Sequence, residues 1–165
     1  MRPLLSFPIL LLAAAAASAQ NVPQDMEAYG VVHTAACKPT ERKALKASLD
    51  ALKEPDTQKL WQAIDTLLCA PATPANERYV KQMLASRVKT TDEGTGSEPD
   101  VQHQPPTAKL AREVMAKGQA WSAAIDSRAE GVVVRYAPDE ACIASVTLTY
   151  RGKKWWISRA GSACD

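Results

Sequence analysis

Histidine is scarce in these 165 residues, with two copies, His33 and His103. A serine triad would need one of them as its base, and no G-x-S-x-G elbow is present. The common zinc signatures are missing as well, since there is neither an H-E-x-x-H helix nor a C-x-x-C pair. His33 lies in an apolar stretch and reads as a hydrogen-bonded packing residue, whereas His103 lies in a polar stretch and reads as solvated. Gly94-Thr95-Gly96-Ser97 lacks the lysine and the strand-to-helix context of a phosphate loop. Asp92, Glu93, Glu98 and Asp100 sit among hydrophilic residues, where nothing apolar would raise one carboxyl pKa for glycoside hydrolysis, and they read as solvated acids. No catalytic group, metal-ligand set or cofactor motif is assigned, and these absences favour binding over catalysis.

Charge of one sign is also lacking. Twenty Lys and Arg face eighteen Asp and Glu, a formal +2, so there is no basic excess to argue for nucleic acid and no acidic tail. A long apolar run occurs only at the start of the chain. Arg2 followed by Leu4 to Ala16 and the small-x-small pattern Ala17-Ser18-Ala19 has the build of a cleaved signal peptide over residues 1–19. Pro8 interrupts this run, which is too short to span a bilayer, so no membrane insertion is expected after cleavage. The expected product is residues 20–165, a single domain of 146 residues in the periplasm or outside the cell.

What is present is an even number of cysteines, Cys37, Cys69, Cys142 and Cys164, which in an oxidising compartment read as two disulfides. Thr40 after Pro39 opens a helix carrying Leu45, Leu49 and Leu52. Asp56 opens a second, with Leu60, Trp61, Ile64, Leu67 and Leu68 as its apolar stripe. A short connection makes them an antiparallel hairpin, so Cys37 before the first and Cys69 at the end of the second lie at the same end and pair. A third helix begins at Thr73-Pro74 and carries Tyr79, Val80, Met83 and Leu84. Met26, Tyr29, Val32 and Ala36 are compatible with a further one.

Residues 20–89 are thus expected to be helical and residues 90–106 to be a polar linker rich in Gly and Pro. In residues 107–165, Leu110, Val114, Met115, Gly118, Trp121 and Ile125 predict a helix up to residue 126. Period-two patterns then predict strands around Val132–Tyr136, Ile143–Tyr150 and Lys153–Arg159. Placing the last turn at Arg151-Gly152 sets Tyr150 opposite Lys153 and Cys142 opposite Gly161. Cys164 then lies on a tail that folds back to pair with Cys142. The expected fold is α+β, a helical N-terminal half followed by one helix on a roughly three-stranded antiparallel meander.

Lys153-Lys154 followed by Trp155-Trp156 is a basic turn whose Trp156 either points outward, a surface suited to a glycan or a partner protein, or packs under the N-terminal helices on the second sheet face. Arg135 and Arg159 fall on strand positions from which they could hold a carboxylate or form surface ion pairs. The leading expectation is an exported non-catalytic binding protein recognising another periplasmic protein, such as an inhibitor or immunity protein that neutralises a toxin or a cell-wall hydrolase. The helix, the meander and the hairpin Tyr150-Arg151-Gly152-Lys153-Lys154-Trp155-Trp156-Ile157 resemble, over about a third of the chain, cone-shaped pocket domains of the nuclear-transport-factor type. That resemblance implies an alternative, a small-ligand pocket or weak enzyme enclosed by the sheet and the 107–126 helix. A structural envelope component is the third expectation.

Overall fold

The computed structural model describes residues 30–94 and 99–164. The leader and residues 20–29, with Met26 and Tyr29, lie outside the described residues. Three helices cover one side of the molecule: α1 Pro39–Ala51, α2 Thr57–Cys69 and α3 Pro74–Met83. Proline punctuates them as the sequence suggests, although α1 already begins at Pro39, where the missing N–H costs nothing. Leu45, Leu49, Leu60, Ile64, Leu67 and Leu68 are fully buried along the facing stripes. The Cys37–Cys69 disulfide ties the start of α1 to the end of α2, with a Cα separation of 5.3 Å. The first histidine is a packing residue, its Nε2 lying 3.1 Å from Ser48 Oγ. No helix among the described residues is long and apolar enough to cross a membrane.

The expected three-stranded meander is overturned by a seven-stranded mixed sheet in the order β1-β4-β5-β6-β7-β2-β3. Its strands are β1 His33–Thr34, β2 Leu84–Gly94, β3 Asp100–Gln104, β4 Ser122–Arg128, β5 Gly131–Ala137, β6 Cys142–Arg151 and β7 Lys154–Cys164. Three segments account for the difference. The stretch 20–89, expected to be helical, also contains β1 and the first half of β2, which starts at Leu84 where the third helix was expected to continue. The supposed linker contains the rest of β2 and β3, which pair antiparallel, while β2 runs parallel to β7. The supposed long helix is only α4, Ala108–Glu113. Lys117 and Gly118 both take positive φ, +56° and +80°, a conformation no helix continues through. The chain emerges as β4, with Ala123 and Ile125 alternating into the core.

In the terminal hairpin the turn is Gly152-Lys153, with φ of +59° and +60°, the paired positive values of a type I′ hairpin turn. Tyr150 therefore faces Trp155 and Leu148 faces Ile157. Ser158 is then an extra residue, because the next pairing is Thr147 with Arg159. This bulge carries the register to Cys142 opposite Cys164. The second disulfide is thus a direct cross-strand bridge, with a Cα separation of 4.2 Å, instead of a folded-back tail.

Candidate functional site

The inward face of the sheet changes character along its strands. Successive inward residues are Tyr150, Leu148, Val146 and Ala144 on β6, Trp155, Ile157, Ala160 and Ser162 on β7, and Leu84, Val88, Thr90 and Asp92 on β2. Large apolar side chains fill the space under α1, α2 and α3. Small and polar ones follow at the other end, so the close-packed core stops there and a cavity of about 350 Å³ begins.

Tyr136 forms the floor. It is 2% exposed and its hydroxyl donates to Val114 O at 2.7 Å, holding the end of α4 over the sheet. Burial pushes the Tyr136 phenol well above its usual pKa, so it stays protonated. The roof is α4, through Leu110, Glu113 and Val114. Thr107 Oγ1 caps this short helix by accepting from the Leu110 N–H at 3.1 Å. Arg112 braces it against α3 by donating twice to Glu77 at 2.8 Å, which lowers the Glu77 carboxyl pKa.

The β2–β3 arm supplies the polar rim. Asp92 pairs with Asp100 and Thr90 with Gln102 in register, and Gln104 donates to Thr90 Oγ1 at 3.2 Å. Among the described residues, three carboxylates, Asp92, Asp100 and Glu113, line the cavity and no Lys, Arg or His does. Glu113 also meets Lys109 on its own helix at 3.7 Å. Among the described residues no group of three or more His, Cys, Asp and Glu is arranged to hold a metal ion. The cavity thus offers carboxylates, amides and hydroxyls above an apolar floor, a lining for ligands that donate hydrogen bonds.

The residues singled out in the sequence lie elsewhere. Arg135 and Arg159 come together on the opposite face of the sheet, where with Arg128 and Glu130 they line a groove of about 240 Å³. Trp156, Lys153 and Lys154 sit apart at the hairpin tip. Trp156 is half-buried, donates from Nε1 to Arg151 O at 3.2 Å, and is covered by Lys154, whose Nζ lies 4.3 Å from the ring centroid. His103 is exposed on β3. The sequence-based alternative placed the 107–126 helix over a pocket, and its helical part α4 does roof the cavity, but Thr90, Gln102, Gln104 and Ser162 were missed as site residues. The usable signal was the run of small and polar residues replacing apolar ones at the ends of β6 and β7.

No family model matches the chain, and no curated protein does. Two solved structures are similar to it. One is an NTF-2 like protein of unknown function from Silicibacter pomeroyi DSS-3, at 9% identity over 78% of this chain and 99% of that one, with a TM-score of 0.39. The other is designated Rd1NTF2_05 and carries five substitutions, at 19% identity over 74% of this chain and 96% of that one, with a TM-score of 0.32. At these scores the likeness is loose and assigns nothing to this chain.

Proposed function

We propose that the protein is an exported small-ligand-binding domain whose site is the cavity between the inward sheet face and α4. The observation that carries this reading is the interruption of the core at Ala144, Ala160 and Ser162, which leaves space where Tyr136 and α4 would otherwise meet a packed sheet. The ligand class follows from the rim. Carboxylates, amides and hydroxyls accept hydrogen bonds, so the occupant is an amine or a polyhydroxyl compound and not an anion. Export rests on the leader over residues 1–19 and on the two disulfides, which persist in oxidising compartments. Recognition of a partner protein through Trp156, Lys153 and Lys154 has less support, because Lys154 covers the indole that would anchor a partner.

The test is thermal denaturation of residues 20–165 with a panel of primary amines, amino sugars and neutral sugars. One class should raise the melting temperature of the wild type in a saturable way. Ala160→Leu, which fills the cavity from its floor, should fold normally and lose that shift. No shift from any class, or the same shift in Ala160→Leu, would overturn the proposal.

A further inference from the structure

The outward face of the same strands carries a second recess of opposite chemistry. Cross-strand register explains both its floor and its walls. One row across the sheet reads Thr91, Gly161, Ser145 and Arg135, and the next reads Lys89, Arg159, Thr147 and Val133. The middle of the first row is made of small residues, which creates the depression. Thr147 and Val133 are each 7% exposed although they face away from the helices, so the long side chains of this face lie over them. The guanidiniums of Arg128, Arg135 and Arg159 thus stand around a floor of small residues.

Gly161 lies close against Ser145 at that floor. A Cβ there would come within 2.9 Å of Ser145 Oγ, so the space a side chain would take belongs to the serine hydroxyl. Ser145 lines the groove, so its hydroxyl can donate to a ligand there. Among the described side chains, three guanidiniums line the groove against one carboxylate, Glu130, which accepts from Arg159 Nη1 at 3.4 Å. Asp126, beside the groove, meets Arg128 Nε at 3.1 Å. Lys89 adds a further cation next to Arg159. Among the described residues, cations outnumber carboxylates on this face.

We propose that this groove is an oxyanion site for a small molecule bearing a carboxylate or a phosphate. Guanidinium forks match both groups through paired N–H donors, and the Ser145 hydroxyl supplies a third donor from below. Ile143 and Ala163 border the groove and would take a short apolar portion of the ligand. The groove shares the strand segments around Ser145 and Gly161 with the cavity under α4, but its three arginines line the groove alone.

The experiment is calorimetric titration of residues 20–165 at low ionic strength with citrate, acetate and inorganic phosphate as separate probes. At least one should bind saturably at one per chain. Tighter binding of citrate or of phosphate identifies the group preferred. Arg135→Gln and Arg159→Gln should each weaken that binding tenfold or more. Ala144→Leu, which lines the other cavity and not the groove, and the hairpin-tip pair Lys153→Gln with Lys154→Gln should leave it within twofold. Absence of saturable binding by all three probes overturns the site, and so does an equal loss in the hairpin-tip variant, which would mean diffuse attraction to a basic surface. Loss in Ala144→Leu alone would move the anion to the cavity under α4, overturning this site and the donor-ligand reading together.

Discussion

The two faces of β2, β5, β6 and β7 are built from neighbouring residues and have opposite chemistry. Tyr136, Ala144, Ala160 and Ser162 face α4 under a rim of carboxylates, while Arg135, Ser145, Arg159 and Gly161 face outward among guanidiniums. Period-two alternation, phased on β7 by the bulge at Ser158, produces this separation, because adjacent residues of a strand project to opposite sides. A single sheet can therefore present an acceptor-rich recess and a donor-rich one, with backbone as the partition. The faces also differ in what their residues do for stability. Inward residues hold the helices, whereas outward residues line the groove.

That difference can be broken most forcefully at Leu148, which is fully buried on the inward face. Leu148→Ala should cost up to about 5 kcal/mol by urea denaturation, whereas Ser145→Ala on the other face should stay within about 0.5 kcal/mol. Comparable costs would mean that the faces are not distinct. Next in size, replacing Cys37 and Cys69 together by serine should remove about 3–4 kcal/mol, the chain-entropy value for a loop of 32 residues. The anion groove should survive in the molecules that still fold, as phosphate or citrate titration would reveal.

A smaller effect is expected at Tyr136. Tyr136→Phe leaves Val114 O without its donor and should cost about 1–2 kcal/mol. It should weaken a ligand of the α4 cavity and leave anion binding unchanged, and loss of both would show that the partition transmits. The smallest effect concerns pH. Arg112 lowers the Glu77 pKa in the folded state from an ordinary 4.5. The stabilisation from this pair is therefore fully present above 4.5 and lost as pH falls through the lower folded-state value. Amide exchange in α4 should quicken over that acid range, and Glu77→Gln should abolish the dependence.

The helical part was legible because Leu and Ile recur there at helical spacing and prolines mark the ends of the segments. The Cys37–Cys69 pairing followed from that layout, and the Cys142–Cys164 pairing from the terminal hairpin. The β2–β3 arm was not legible, since Thr90, Thr91, Asp92, Gln102 and His103 lack apolar alternation. Backbone pairing, not burial, forms this arm at the rim of the core. Trp121 and Ile125 matched a helical period by coincidence, and the left-handed pair Lys117-Gly118 decided against it. Arg135 and Arg159 were legible as strand arginines. The groove between them was not, because it depends on the register of β7 and on a bulge that no local composition marks.

The bulge at Ser158 has a further consequence for how this hairpin proofreads itself. A hairpin that failed to form it and paired Ser158 with Thr147 would rotate every later residue of β7 to the other side of the sheet, sending Arg159 and Gly161 under α4 and Ala160 and Ser162 outward. The same slip would bring Ala163 opposite Cys142 and turn the thiol of Cys164 away. Formation of the second crosslink is then a chemical receipt for correct phasing: a chain that closes it has assigned each recess its own side chains, and a chain that cannot close it displays its error as two free thiols.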